Sequence, residues 1–485
     1  MRILLFMAAV VAVAALITPA LAAIGPAPAI AWEHLYGGDS NDLARSLAPA
    51  AGGGWVVVGY STSSASGDVE DASHGMNDVW VAGIGPAGLL LDQELLGGEA
   101  RDTGGAVRRT ADGGFIIAGD TYSSASGDVS GTTNGGSDIW LLKLGPLGGI
   151  QDQVLLGGHY DEIVYDVQPT ADGGYIVVGT STSSDEDGGD VTGVNHGLRD
   201  IWVVKLDRFL AIEWDRLLGG EYDEVGRAVR QTADGGYVVV GDSTSSASGD
   251  VTDVNHGVRD IWVVKLSAAG VVDKDVLLGG AGLEHGNDIQ QTADDGFIIV
   301  GESYSSESGN VRGVNHGDYD LWVIKLGPAG VVQDERLLGG ESFDNGVAVH
   351  QLADGGFIIL GNTDSSASGD VTGTTHGTRE VWAVRLDPSG AIQWQRLLGG
   401  ADYDEGVAIE PAPGGGWVAV AGSRSSASGD VGETSNGQFD GYSVILTTNS
   451  YHLGGVHGQD QLPTMSLHEG VSTGHRETSL FAVSL

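Results

Sequence analysis

The chain has 485 residues, no cysteine, 81 glycines and a formal net charge of −42, from 65 acidic and 23 basic residues. Without cysteine it has no disulfides, so the core, ring closure or bound ions must stabilise the fold. The acidic excess argues against nucleic acid as a partner, because phosphates attract basic patches. A repulsive acidic surface that keeps a glycine-rich β protein soluble is one interpretation of the charge; calcium binding and adaptation to high salt are the others.

The N-terminus predicts a secretory signal peptide over residues 1–22. Arg2 supplies a positive start, Ile3 to Ile17 an apolar stretch, and Ala20-Leu21-Ala22 a cleavage site of small residues. The apolar stretch is too short for a membrane anchor to be the better interpretation. We therefore expect a secreted, extracellular protein, free or associated with the cell surface, without a transmembrane segment after cleavage.

From there the chain repeats one phrase, and the repeat dominates the sequence. Two markers recur 60 residues apart, with a single interval of 62. The first is a Gly-Gly pair ending at Gly38, Gly98, Gly158, Gly220, Gly280, Gly340 and Gly400. The second is an aromatic residue at Trp80, Trp140, Trp202, Trp262, Trp322, Trp382 and Tyr442. Such a fixed period indicates a solenoid, a propeller or an array.

Each repeat predicts four strands, which we label A to D. In the repeat that is easiest to read, strand A covers Gly226 to Thr232 and a tight Asp-Gly-Gly turn follows. Strand B, Tyr237 to Val240, is a continuous apolar run that suits burial on both faces. A long polar loop leads to strand C, Asp260 to Leu266, and strand D alternates apolar and polar residues. This order is typical of a four-stranded propeller blade.

The ends of the repeat region predict a closed ring. Strands A, B and C occur seven times, whereas the first copy of strand D is the N-terminal Ala29 to Tyr36. Pairing that strand with the last repeat removes the open ends of the array. The sequence therefore predicts an all-β protein, a seven-bladed β-propeller over residues 23–447. Residues 448–485 form a degenerate tail that echoes strands D and C, so the alternative is eight blades, with the N-terminal strand in the eighth.

The repeat also resembles a known family. The phrase L-G-G-x-x-x-D, then T-x-D-G-G-[FY]-[IV]-[IV]-x-G, S-G-D-V and D-[IVL]-W-x-x-[KR]-L is similar to the SBBP-type β-propeller repeats of secreted bacterial and archaeal proteins, over roughly residues 30 to 447. The resemblance implies an extracellular propeller, often within cell-surface or secreted multidomain proteins. It implies no particular reaction, because a fold does not fix a function.

Two repeated side chains have structural interpretations. The strand-C tryptophans are expected to fill the space between blades, although equivalent exposed aromatic faces would suit sugar binding. The acidic residue two positions before each aromatic residue is expected to accept backbone N–H bonds from a neighbouring turn. This set comprises Asp78, Asp138, Asp200, Asp260, Asp320, Glu380 and Asp440.

The loop between strands B and C carries Ser-Gly-Asp-Val and then His-Gly, with Asn in place of His in two repeats. Calcium binds carboxylate and carbonyl oxygens, which Asp-rich loops can provide, but the dense spacing of a calcium loop is absent. Asp and Asn side chains that cap the loop are the alternative. The best calcium candidate is the third repeat, with Asp185, Asp187 and Asp190. Histidines spread around a ring argue against zinc and for a hydrogen-bonding role.

A further acidic set precedes strand A. It comprises Asp42, Asp102, Asp161, Glu162, Asp223, Glu224, Asp344, Asp404 and Glu405. If strand A is innermost, these residues would form a negative mouth of the central channel that attracts cations or a basic partner. A solvated turn is the alternative.

No catalytic signature stands out: the nucleophile elbow, the zinc-protease motif, the phosphate-binding loop and the dinucleotide fingerprint are all missing. An enzyme needs one asymmetric constellation, and this chain repeats its carboxylates. We therefore expect no catalysis, and a secreted or cell-surface propeller that serves as a protein-interaction or structural binding module. The alternative is a multivalent, lectin-like glycan binder, with an extracellular lyase or hydrolase ranked third. The expected partner is an extracellular protein or polysaccharide.

Overall fold

The computed structural model describes residues 25–412 and 415–447, which contain 28 strands in seven four-stranded sheets. The predicted signal peptide and the predicted tail at 448–485 lie outside the described residues. Two short 3-10 turns, Ala51–Gly53 and Asp185–Asp187, are the helical segments of the described part. Within that part, no helix has the length and apolar character needed to cross a bilayer.

Each sheet is one blade, and its strands follow one another in antiparallel order from the inner strand outward. Blade 1 contains β2 (Asp42–Pro49), β3 (Trp55–Ser61), β4 (Asp78–Ile84) and β5 (Leu90–Leu96); blade 2 contains β6 (Asp102–Arg109), β7 (Phe115–Thr121), β8 (Asp138–Gly145) and β9 (Gly148–Leu156); blade 3 contains β10 (Glu162–Pro169), β11 (Tyr175–Ser181), β12 (Asp200–Leu206) and β13 (Ile212–Leu218); blade 4 contains β14 (Glu224–Gln231), β15 (Tyr237–Ser243), β16 (Asp260–Leu266) and β17 (Val272–Leu278). Blade 5 contains β18 (Glu284–Gln291), β19 (Phe297–Ser303), β20 (Asp320–Leu326) and β21 (Val332–Leu338); blade 6 contains β22 (Asp344–Gln351), β23 (Phe357–Thr363), β24 (Glu380–Leu386) and β25 (Ile392–Leu398); blade 7 contains β26 (Asp404–Pro411), β27 (Trp417–Ser423), β28 (Asp440–Thr447) and the N-terminal β1 (Ala29–Tyr36).

The ring closes as the sequence predicts. Strand β1 pairs antiparallel with β28, from Ala29 opposite Thr447 to Tyr36 opposite Gly441. The inner strand of each blade contacts the inner strand of the next, and β26 contacts β2. The seven-bladed propeller is therefore confirmed. The eight-bladed alternative is wrong, because the N-terminal strand is used as the outer strand of the seventh sheet.

The strands differ in detail from the predicted ones. In blade 4, the inner strand begins at Glu224 and not at Gly226, and the next strand continues to Ser243 and not Val240. The predicted strand C, Asp260–Leu266, is confirmed. Strand ends were missed because they carry polar residues, such as Glu224 and Ser243, which are buried and hydrogen-bonded to each other.

The core lies between neighbouring blades. Trp322 of blade 5 is fully buried against Val240 and Ile261 of blade 4, and the six other strand-C aromatic residues are also buried. In blade 7, Tyr442 takes the tryptophan's place. The predicted wedge role of these side chains is confirmed, because large apolar side chains fill the widening space between blades.

The strand order gives the propeller two different faces. Gly-Gly connections and long B–C loops lie on one face, which we call the loop face, and short A–B and C–D turns lie on the other, the turn face. Every inner strand carries a β-bulge near its middle. A bulge re-aims a side chain, and the seven bulged residues all line the central channel.

Candidate binding site at the loop-face mouth of the channel

The prediction of a negative mouth is wrong for six of its nine acidic residues, because those six are buried. The first residue of every inner strand is acidic and fully buried: Asp42, Asp102, Glu162, Glu224, Glu284, Asp344 and Asp404. Each accepts the N–H of the second glycine of the preceding Gly-Gly pair at 2.7 or 2.8 Å. Serine hydroxyls donate to the same carboxylates, as from Ser63 to Asp42 at 2.8 Å. These carboxylates therefore tie the loop to the blade and do not line the mouth as free acidic groups. Asp161, Asp223 and Glu405 remain at the mouth.

The strand-C carboxylates have the structural role that the sequence predicts. All seven are fully buried, and each accepts the N–H of the His or Asn four residues earlier, as Asp260 does from His256 at 2.9 Å. Within the described chain, the other oxygen of each has no hydrogen-bond partner. It lies close to the first glycine of a Gly-Gly pair. At Gly279, for example, a Cβ atom would be only 2.3 Å from Asp260 Oδ1, so a larger residue would clash there. Burial raises the pKa values of Asp138 and Asp200 to about 6.

The loop histidines and aspartates also act within their loops. His256 Nδ1 lies 2.7 Å from Asp260, and Asn134, in a repeat without this histidine, donates its side-chain N–H to Gly157 O at 3.0 Å. In six blades, the Asp or Asn of the Ser-Gly-Asp-Val segment accepts the N–H of the first glycine of a Gly-Gly pair. In blade 7, Asp430 instead accepts from Arg396 at 3.1 Å. The predicted hydrogen-bonding roles are confirmed.

The proposed calcium ligands lie in the B–C loop of blade 3. Asp185 is exposed and accepts from Ser184 Oγ at 3.3 Å, whereas Asp190 Oδ2 accepts the Gly157 N–H at 3.3 Å. The side chain of Asp187 lies outside the described part of the structure. Across the residues described, no group of three or more His, Asp or Glu side chains is placed to hold a metal ion. The calcium site stays a prediction.

Sequence reasoning missed the feature in which the blades differ. The channel has a volume of about 610 Å³. The bulged residues that line it are Arg45, Gly105, Tyr165, Arg227, Asn287, Val347 and Val407. The residues just before strand A, just before strand C and just after strand B also change from blade to blade, as the bulged residues do. All of these positions lie on the loop face near the channel. The signal that could have found the site is this loss of repetition at a few positions of an otherwise regular repeat.

Arginines concentrate at these positions. Of the eighteen arginines in the chain, four line the channel, and five more lie on the loop face just before strand A, just before strand C or just after strand B. They are Arg45, Arg101, Arg108, Arg199, Arg227, Arg230, Arg259, Arg379 and Arg424. In a protein with a net charge of −42, this clustering makes the mouth a local exception to the acidic surface.

Deeper in the channel, ion pairs link successive blades. Asp166 of blade 3 pairs with Arg108 of blade 2 at 2.7 Å and with Arg230 of blade 4. Arg230 also pairs with Asp288 of blade 5 at 2.7 Å. Asp166 and Asp288 also accept N–H bonds from the next inner strands. Because each of these charged groups has a partner of opposite charge, the series of ion pairs holds neighbouring inner strands in register.

On the side of blades 3 to 5, the mouth is a closed network. Asp242 is fully buried, with His285 Nδ1 at 3.0 Å, Arg259 at 3.4 Å and Arg227 at 3.6 Å. Burial opposes ionisation of Asp242, but the His285 hydrogen bond and the nearby Arg227 charge outweigh it, so its pKa is lowered. Arg199 binds Asp223 with two bonds of 2.6 Å. Each arginine of this side therefore has a carboxylate partner within 4 Å.

On the side of blades 5 to 7, aromatic rings and guanidinium groups alternate. Tyr319 packs between Tyr304 and Phe343, with ring centroids 5.4 and 5.7 Å away. Arg379 lies over Phe343 at 4.5 Å and over Tyr403 at 5.1 Å. Arg424 lies over Tyr403 at 5.7 Å and over Phe439 at 4.3 Å. We call these seven residues the aromatic belt. Cation–π contacts hold the arginines against the rings.

The comparisons with known proteins assign no family to the chain. No protein-family model matches the chain, and no curated protein matches it. Similar solved structures include Sqt1 from Chaetomium thermophilum (10% identity over 86% of this chain and 100% of that one, TM-score 0.44). They also include the Pan2 WD40 domain of Neurospora crassa (9%, 85% and 90%, TM-score 0.42) and Drosophila Plexin A in complex with Semaphorin 1b (7%, 87% and 88%, TM-score 0.45). At these identities the likeness is one of fold alone.

Proposed function

We propose that the protein is a non-catalytic binding module of the cell exterior, and that it holds a segment of a protein partner at the loop-face mouth of its channel. The observation that carries the proposal is the convergence of the non-repeating residues of different blades on one mouth. Repeated positions hold the ring together, so selection for a ligand is expected at the positions that escape repetition. The predicted signal peptide and the resemblance to SBBP-type repeats support the extracellular setting.

The composition of the mouth suits a protein partner. Arginine and tyrosine are enriched at the energetic centres of protein interfaces, and the mouth combines both around a concave channel. Exposed Tyr122 and Tyr304 occupy the same repeat position in blades 2 and 5, whereas Thr62, Thr182 and Thr244 occupy it in blades 1, 3 and 4. A single asymmetric site therefore fits better than seven equivalent ones.

This asymmetry argues against the multivalent lectin alternative. Equivalent sugar sites would need an exposed aromatic face at one position in every blade, but the strand-C aromatic residues are all buried. The exposed aromatic side chains change position from blade to blade. The faces of Phe343, Tyr403 and Phe439 are also covered by arginine side chains of the protein itself.

The test is peptide selection followed by paired variants. Peptides selected from a displayed library on the full chain are measured against Tyr122→Ala/Tyr304→Ala, which removes two exposed rings at the mouth. The matched control is Leu89→Ala/Phe209→Ala, which removes two exposed apolar side chains from the C–D turns of the opposite face. We expect the mouth variant to weaken binding at least about tenfold, a loss of about 1.4 kcal/mol, and the control to leave it unchanged.

The opposite pattern would overturn the proposal. Peptides that bind the mouth variant normally and are lost from the turn-face variant would move the site to the other face. Saturable binding to a neutral glycan array, unaffected by the mouth variant, would favour the lectin alternative.

A further inference from the structure

Three arginines of the mouth lack the acidic partners that the others have. Arg199, Arg227, Arg259 and Arg379 each lie within 4 Å of a carboxylate. For Arg45, Arg101 and Arg424, the described chain offers no carboxylate within that distance, and all three side chains are exposed. A guanidinium group has five donors in a fixed fork, so three such groups leave a large donor capacity open to a ligand.

The three arginines lie on neighbouring blades and form one arc. Arg424 of blade 7 stacks on Phe439, whose backbone O accepts the Asp42 N–H of blade 1 at 2.7 Å. In blade 1, Arg45 lies over the Tyr60 ring at 5.8 Å. Arg101 precedes the inner strand of blade 2, and both Arg45 and Arg101 act electrostatically on Asp120 of that blade. We call Arg424, Arg45 and Arg101 the arginine arc.

Two arginines of the arc are held in place without an acid. Contact with the face of an aromatic ring orients a guanidinium group and leaves its N–H edges free to donate. Arg45 is also the bulged residue of its inner strand, so its side chain lines the channel. Such groups lose little conformational entropy when they bind, which favours affinity for a ligand that matches the fork.

The charge of the rest of the protein adds selectivity. With 65 acidic residues, most of the surface repels an anionic ligand. Asp120 is an acid that Arg45 and Arg101 act on electrostatically, and burial raises its pKa to about 7. Its Oδ1 accepts the Val164 N–H at 2.7 Å, so it serves the contact between blades 2 and 3 and leaves the arc cationic.

From the geometry we infer that the arginine arc is a binding site for carboxylate groups of an acidic peptide segment. This inference rests on the proposed function and names the chemistry of the partner. Planar guanidinium forks match carboxylates with two parallel hydrogen bonds. A peptide fits better than a polysaccharide, because Phe439 and Tyr403 already have arginine on their faces and offer no free surface for a sugar ring.

The test uses a fluorescein-labelled decaglutamate peptide and the full chain, with a decaglutamine peptide as neutral probe. We expect saturable binding of decaglutamate that Arg45→Gln/Arg101→Gln/Arg424→Gln weakens at least about tenfold. The matched control is Arg208→Gln, which alters another exposed arginine that stacks on an aromatic ring, Phe209 at 4.6 Å, on the turn face. The slope of log K against log salt should also fall in the triple variant, because fewer ion contacts remain. Circular dichroism checks the fold of each variant.

The outcomes separate this inference from the proposed function. If selected peptides need Tyr122 and Tyr304 but bind the arginine triple variant normally, the mouth is a binding site and the arc inference is wrong. Equal affinity for decaglutamate and decaglutamine, or equal losses in the triple variant and Arg208→Gln, would also overturn it. Oligogalacturonate that displaces decaglutamate at lower carboxylate concentration would show that the site prefers a uronate polysaccharide, against the peptide assignment.

Discussion

Replacing the buried Asp138 by Asn should stabilise the protein at neutral pH. Asp138 begins β8 and is fully buried, and its Oδ2 accepts the Asn134 N–H at 3.0 Å. Its Oδ1 has no hydrogen-bond partner in the described chain and lies close to Gly157, next to Glu162 Oε2. An asparagine there keeps the acceptor for Asn134 and places an amide donor beside the Glu162 carboxylate. It also removes a buried charge.

The pKa fixes the sign and size of the effect. Burial, and then the neighbouring Glu162 charge, raise the pKa of Asp138 from 3.8 to about 6. The folded state therefore holds a proton that the unfolded state releases, so this contribution to stability is full below about pH 4 and is lost as pH rises through about 6. Between about pH 4 and neutral pH, this contribution to the free energy of unfolding falls by about 3 kcal/mol. About half of the fall has already occurred at about pH 5.

The assay is urea unfolding of both proteins at about pH 5 and about pH 7.5. We expect the advantage of Asp138→Asn to grow by about 1.5 kcal/mol between the two. The control is Asp242→Asn, another fully buried aspartate, whose pKa is lowered by His285 and Arg227 despite burial. It should destabilise the protein by about 1 to 3 kcal/mol at neutral pH, because it takes a charged hydrogen-bond partner from the partly buried Arg227, Arg259 and His285 side chains. An equal effect of Asp138→Asn at both pH values would refute the reasoning.

Three further predictions concern the ring. Trp322→Ala should lower the free energy of unfolding by about 3 to 5 kcal/mol. Trp322→Phe should lower it by less, about 2 kcal/mol, because Phe loses the bond to Glu335 (2.8 Å) and leaves a smaller cavity. Chemical denaturation measures both, and a small loss for Ala would contradict the wedge role. Leu35→Ala should cost about as much as the equivalent Leu95→Ala, about 2 to 5 kcal/mol, because β1 is a full member of its blade; a silent Leu35→Ala would argue against closure. Added salt should raise the Tm by screening the charge of −42, and calorimetry that finds no rise would argue against net repulsion.

The architecture could be predicted because every blade reports it independently. The spacing of Gly-Gly and Trp gave seven units, and the isolated strand before Gly37-Gly38 gave the closure that β1 and β28 make. The roles of Trp322 and Asp260 also followed from the sequence, because a large apolar side chain and a carboxylate beside a turn have few alternatives in a packed strand.

The burial of the acidic set and the site itself did not follow. Glu224 is acidic and lies between a Gly-Gly pair and the predicted strand A, which suggests a solvated side chain, but the Gly-Gly connection folds over it and donates an N–H at 2.7 Å. Arg45 and Arg424 are far apart in the chain, and no sequence motif links them. Only the closure of blade 7 onto blade 1 makes them neighbours, and only the bulge directs Arg45 into the channel.

The most direct test of a binding mouth is a crystal structure of the protein with a peptide selected on the full chain. We expect the peptide to lie on the loop face, over the channel, with its acidic side chains within hydrogen-bonding distance of the arginine arc and its backbone against the aromatic belt. A peptide bound at the C–D turns or along the outer strands, with the mouth free of it, would show that the loop-face mouth is not the binding site.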